Sequence, residues 1–159
     1  MARYESIDKL PAHLREQAMA QMGDETGGGS LQVKGPYIPT EHEEQVALFA
    51  WADTQMDRCP ELSLMFAIPN GGHRFVAVAA KLKAEGVKAG VPDVFLPVPR
   101  GGKHGLWLEL KRSKGGRLGE AQKAWADALE GQGYAVGLSY GAVEAIQLIE
   151  EYMEGADVV

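Results

Sequence analysis

A chain of 159 residues with 45% hydrophobic and 24% charged side chains can bury a core of its own, and no apolar run approaches the roughly 18 residues of a membrane helix. The single cysteine, Cys59, excludes an internal disulfide, no Cys/His cluster has zinc spacing, and no signal-peptide pattern opens the chain, so a reducing, cytoplasmic setting is expected. The net charge of −6 argues against a polyanionic partner only until it is divided: residues 1–69 hold 5 basic and 11 acidic side chains, residues 70–125 hold 11 and 4, and residues 126–159 hold 0 and 7.

In chain order, residues 5–22 fit an amphipathic helix, broken at or beginning from Pro11. Residues 23–39, with Gly27-Gly28-Gly29-Ser30, read as a flexible linker. Thr40 and Glu43 fit a capping box that starts a helix over about 41–57. At about 100° per residue, Glu41, Glu44, Gln45, Leu48 and Ala52 share one of its faces, so the first turn aims acids and an amide inward. The apolar run at 62–68 reads as a buried strand, stopped by Pro69-Asn70-Gly71-Gly72, and a helix follows over 74–85. Strands at 93–98 and 105–112 flank a glycine-rich loop. A basic loop then leads to a helix at 119–130, a short strand at 134–138 and a last helix at 142–153. Helices around a mixed central sheet make an α/β sandwich. Cys59 reads as a small buried hydrophobe.

Most of the chemistry sits in Val91-Pro92-Asp93-Val94-Phe95-Leu96 and Leu108-Glu109-Leu110-Lys111. If Pro92 opens a strand, Asp93 lies at its mouth, where the missing N–H does little harm. In the next strand the period of two puts Trp107, Glu109 and Lys111 on one face and Leu106, Leu108 and Leu110 on the other. Magnesium takes carboxylate and carbonyl oxygens and keeps several waters. Asp93, Glu109 and the Leu110 carbonyl offer such a half-shell, with Lys111 placed to orient or deprotonate a water, or to neutralise a phosphate. The same residues also read as a turn dipeptide and an ordinary ion pair on a solvated face.

Two more stretches bear on the choice. The glycine-rich helix entry at Asn70, Gly71 and Gly72, with Arg74 beside it, suits a phosphate cradle or a plain tight turn. Lys88, Arg112, Lys114 and Arg117 lie in the basic middle third, which surrounds the acidic pair and suits a polyanion approaching bound metal. Trp107 shares the face of Glu109, where it stacks on an exposed base or packs beneath the helix starting near Gly119.

The ordered set Glu41…Gln45, Ile68-Pro69-Asn70-Gly71-Gly72, Gly90-Val91-Pro92-Asp93, Glu109-Leu110-Lys111 and Gln122 closely resembles the virus-type replication-repair nuclease domain, VRR-NUC, of the PD-(D/E)xK superfamily. The resemblance divides the chain into residues 1–39, with no counterpart, and a domain over 40–159. It implies a restriction-endonuclease-like core and a DNA endonuclease in which Asp93, Glu109, the Leu110 carbonyl and a helix acid bind Mg²⁺ or Mn²⁺; that acid is Glu41 or Glu44, with the register of Gln45 favouring Glu41. Lys111 would assist the attacking water, and Gln45 and Gln122 would line the site. It further implies branched DNA, a Holliday junction or a flap, as substrate, a homodimer, no membrane, and a setting in replication or repair, in a bacterium or phage-infected cell. A non-catalytic DNA-binding module and a restriction-type sequence-specific nuclease stay open beside that reading.

Overall fold

Thr40 turns extended chain into helix. Its hydroxyl accepts the Glu43 N–H at 3.3 Å while Glu43 Oε2 accepts the Thr40 N–H at 2.8 Å, the reciprocal box expected there. The helix it starts, α1, runs Glu41–Gln55. The computed structural model describes residues 38–69 and 76–155; the helix expected over 5–22, nearly all of the linker and the cradle from Asn70 to Arg74 lie outside them.

After α1 the chain departs from expectation. Where a strand over 62–68 is predicted, Pro60–Leu64 forms a 3₁₀ turn and β1 is only Phe66–Ala67. Pro60 stands at the start of that turn, where its fixed φ favours a helical entry, and the turn buries Leu62 without any ladder. Next come α2 (Val76–Ala84), β2 (Val94–Leu96), β3 (Leu106–Lys111), α3 (Glu120–Gly131), β4 (Ala135–Tyr140) and α4 (Ala142–Met153). The last helix has the predicted bounds.

The four strands form one mixed sheet in the order β1-β2-β3-β4. β1 pairs β2 antiparallel, β2 pairs β3 antiparallel, and β3 pairs β4 in parallel through the α3 crossover. The register is Phe66↔Phe95↔Trp107 across the first three strands, with Val94↔Leu108 and Glu109↔Leu138. One face therefore carries Val94, Leu96, Leu106, Leu108 and Leu110, all buried. Against it pack α1 and α4, which contribute Leu48, Ala52, Ala145, Ile149 and Tyr152 to the core. Residues 39–159 are one compact unit.

Two buried polar contacts tie this core together. Glu44 Oε2 accepts the Ala142 N–H at 2.8 Å and so caps α4 from α1. The Tyr152 hydroxyl donates to the Val98 carbonyl at 2.6 Å, fixing the end of α4 to the chain after β2. Tyr152→Phe removes that donor and leaves a buried carbonyl unsatisfied. It is expected to lower stability by about 1–2 kcal/mol, measured as a shift of the urea midpoint with an unchanged slope.

Candidate active site

The β2–β3 ladder stops where the chemistry starts. Extending the Val94↔Leu108 register by two residues sets Pro92 opposite Leu110. Proline has no N–H to give the Leu110 carbonyl, and the Leu110 N–H turns instead to Asp93 Oδ2 at 3.0 Å. A residue's N–H and C=O leave a strand on the same side, so the Leu110 carbonyl is directed toward the edge that holds Asp93. Asp93 sits just ahead of β2, as expected, and Pro92 beside it is fully buried.

Glu109 and Lys111 project from the other face of β3, opposite the leucines. That face is not solvated: Glu109 is 3% exposed and Lys111 7%. Lys111 Nζ donates to Glu109 Oε1 at 2.5 Å, and Gln122 Nε2 from α3 donates to the same oxygen. The Gln122 carbonyl oxygen accepts the Gly119 N–H at 2.8 Å, so the side chain that caps α3 also restrains Glu109. Glu109 Oε2 is buried and receives no hydrogen bond among the described residues.

Glycines let the walls close in. A Cβ on Gly116 would lie 2.7 Å from Lys111 Cβ, so the basic loop rests directly on the lysine stem. Gly90, at φ +87°, brings the segment before Pro92 against the first turn of α3, where a Cβ would meet the Ala121 carbonyl at 2.8 Å. Trp125 Nε1 donates to the Ala89 carbonyl at 3.2 Å and holds the same contact. Gly116 was not legible as a site residue, since a glycine in a loop signals a turn before it signals close packing; Gly90 was legible only as part of the Gly90-Val91-Pro92-Asp93 motif.

The structure thus gathers Asp93, Glu109, Lys111 and Gln122. Glu41 stays exposed on the first turn of α1, and only its charge reaches Asp93. Gln45 is half-buried and forms no hydrogen bond with these four among the described residues. The inward acid of that turn is Glu44, 2% exposed, because the N terminus of α4 draws it in. The buried stripe accordingly runs through Glu44, Ala47, Leu48 and Ala52, turned away from the predicted Glu41. Cys59 is half-buried, not buried, and its thiol donates to Glu61 Oε2 at 3.6 Å.

Around the site, Arg112, Lys114 and Arg117 are exposed on the loop that covers Lys111. Lys88 is exposed too, with its ammonium 5.9 Å from the Trp125 ring centre. Lys81, Arg100 and Lys123 of the same basic segment are engaged by Glu85, Glu61 and Asp127. Trp107 lies on the face of Glu109, as expected, but stacks on Phe95 at 4.2 Å between ring centres. Its partner is thus the neighbouring strand.

A divalent cation fits this donor set. Two half-buried or buried carboxylates lie together with an unsatisfied Glu109 oxygen, and the Leu110 carbonyl is directed toward them. Among the described residues no group of three or more His, Cys, Asp or Glu side chains could hold a metal ion. Two carboxylates and a carbonyl are a half-shell, which suits a hard cation that retains its waters.

Residues 30–143 match the family model of the VRR-NUC domain. A solved structure described as a VRR_NUC domain protein is similar at 30% sequence identity and a TM-score of 0.65, covering 76% of this chain and 93% of that one. No curated protein matches the chain.

Without a cation the carboxylates compete for protons. Burial raises Asp93 above the usual carboxylate range, against the pull of the Leu110 N–H and Lys111. Burial also raises Glu109, to about 7; Lys111 opposes the shift and the Asp93 charge adds to it. Between 4.5 and about 7 the native chain therefore holds a proton on Glu109 that the unfolded chain has released. Stability contributed this way is present at low pH and lost as pH rises through that window. The metal-free protein is expected to lose roughly 1 kcal/mol from this group between pH 6 and pH 8. Thermal melts should show a smaller loss in Glu109→Gln, and Mg²⁺ should stabilise the wild type more at pH 8 than at pH 6.

Proposed function

The chain belongs to the VRR-NUC family, and from that premise we propose that it is a Mg²⁺-dependent DNA endonuclease acting on branched DNA. The observation that carries this reading is the grouping of half-buried Asp93 with buried Glu109 and Lys111, in which Glu109 Oε2 accepts no hydrogen bond among the described residues. An ordinary ion pair does not set a second carboxylate against the first, since like charges withdrawn from water repel. A cation answers both at once.

In this reading Asp93, Glu109 and the Leu110 carbonyl would hold Mg²⁺, with Mn²⁺ able to substitute, and Glu41 would add charge from α1. When bound, the ion polarises a phosphate and lowers the pKa of a water. Lys111, fixed by Glu109 and by the loop at Gly116, orients the attacking water and offsets phosphate charge. Water oxygen bonds to phosphorus, the P–O3′ bond breaks, and a proton passes to O3′, leaving a 5′-phosphate and a 3′-hydroxyl. Gln122 keeps Glu109 in place, and Gln45 lines the approach. Lys88, Arg112, Lys114 and Arg117 take flanking phosphates, together with Asn70, Gly71, Gly72 and Arg74. A homodimer would present two such sites to the two strands of a Holliday junction or flap; the family resemblance supports this.

End-labelled four-way junction, 5′ flap, single-stranded and linear duplex DNA test the reading in Mg²⁺, Mn²⁺ and EDTA. Branched substrates are expected to be cut in either metal and none in EDTA. Asp93→Ala and Lys111→Ala are each expected to lose on the order of 100-fold or more in rate. Full activity in both variants would sink the proposal, and DNA binding without cleavage would leave a non-catalytic module. Gly116→Ala, which must push apart Lys111 and the loop carrying Arg112, Lys114 and Arg117, is expected to lower kcat on the order of 10-fold or more and to weaken DNA affinity by less. Single-turnover and binding assays separate the two effects.

A further inference from the structure

The sheet face that carries the carboxylates continues into an aromatic row. Register places Phe66, Phe95 and Trp107 side by side on β1, β2 and β3, with Asp93 and Glu109 in the adjacent row. The Ile68 N–H donates to the Asp93 carbonyl at 2.7 Å, so Phe66 lies two residues, about 7 Å along the strand, from the position opposite Asp93. Phe95 and Trp107 satisfy each other, nearly parallel at 18°. Tyr134 meets both at an angle from beyond β3, and all three are half-buried.

Phe66 is different. It stands at 90° to Phe95, 5.7 Å between ring centres, and is 46% exposed. β1 is the edge of the sheet, and neither of its residues is buried. An apolar ring of this kind has an ordinary place in a core or an interface, and here the core lies on the other face. Beyond Glu109 the same face ends at Lys111 and the loop resting on it, which exposes Arg112, Lys114 and Arg117. A partner that brings a flat apolar surface together with negative charge matches both features, and a nucleotide does so.

We infer that Phe66 receives an unpaired nucleobase of the DNA strand beside the phosphate presented to the Asp93–Glu109 site. The inference rests on the nuclease reading and extends it to substrate selection. A base inside a duplex is stacked on both sides and offers no face to a phenyl ring. A base at a flap or junction branch point does. Stacking on Phe66 favours strands with such a base next to the cleaved bond, whatever its sequence, because every base has a π-face.

The test uses the full chain and oligonucleotides carrying 2-aminopurine at the unpaired position of a 5′ flap or in a single strand. Binding is read by fluorescence in EDTA, so that it does not depend on cleavage. Phe66→Leu keeps apolar bulk and removes the ring. It is expected to weaken binding to flap and single strand on the order of 10-fold, to abolish the 2-aminopurine quenching that the wild type gives, and to leave linear duplex binding nearly unchanged. Phe66→Trp is expected to retain both affinity and quenching, and its added indole emission should fall when oligonucleotide binds. Equal losses on all DNAs, or unchanged quenching in Phe66→Leu, would overturn the inference. So would a fall in oligomeric mass on replacing Phe66, which would assign the ring to a second copy of the chain. If Phe66→Leu melts early, the Phe66→Trp emission decides alone, and no change on adding oligonucleotide overturns it. A wild type that cuts no DNA in Mg²⁺ sinks the nuclease reading, whereas a wild type that cuts with an indifferent Phe66→Leu sinks only this one.

Discussion

A proline opposite a leucine organises the site. The antiparallel ladder between β2 and β3 would run on to Pro92 and Leu110, but Pro92 cannot donate. The break frees two backbone groups that a continued ladder would have paired. The Leu110 N–H holds Asp93 through its carboxylate, and the Leu110 carbonyl is left to the same edge. Had residue 92 carried an N–H, the ladder could have closed over the position, and Asp93 would have lost the donor that aims it. The spacing of Pro-Asp and Glu-x-Lys is thus a consequence of strand register: Asp93 and Glu109 meet because their strands pair Val94 with Leu108.

Everything else nearby contains the electrostatic consequence. Two carboxylates and an ammonium are withdrawn from water within a few residues, which is unfavourable unless each charge is engaged. Lys111 and Gln122 engage one oxygen of Glu109, and Leu110 engages one of Asp93. The remaining oxygen of Glu109 has no such donor, an imbalance sharpened by the burial and the Asp93 charge that raise Glu109 to about 7. A dication relieves that imbalance more completely than a proton does, because it answers both carboxylates at once. Stability and proposed function are therefore coupled at one atom.

How far the sequence carried depended on the range of the forces involved. Short-range rules were legible: Thr40 and Glu43 formed their capping box, the alternating leucines of β3 made the core face, and α4 began and ended as periodicity predicts. The pairing of Asp93 with Glu109 was legible too, because strand periodicity and hairpin order fix it. Long-range partners were not. A helical wheel groups Glu41 with Glu44 but does not say that α4, ninety-eight residues on, presents an N–H to Glu44. The stretch from Leu62 reads as a strand because it is apolar, yet Pro60 commits it to a 3₁₀ turn and leaves β1 two residues long. Glu-x-Lys looks solvated because charge usually is; only α3, delivering Gln122, and the loop at Gly116 bury it.

The short β1 that periodicity missed has a consequence of its own. A strand running from Leu62 to Ile68 would have extended the sheet edge and placed more backbone beside β2. The 3₁₀ turn uses that length to bury Leu62 instead and brings the chain to the sheet only for Phe66 and Ala67. An edge two residues long offers little ladder for another chain to pair with, so what β1 presents to a partner is its side chains. One of those is a phenyl ring in the row beside the carboxylates. The same local preference that shortened the strand leaves an exposed apolar surface beside the acidic site, which itself lies in the basic segment 70–125. Attraction of a polyanion to that segment is long-ranged and indifferent to base pairing, while stacking at Phe66 is short-ranged and demands an open base. The two act in sequence, and only the second can tell a branch point from a duplex.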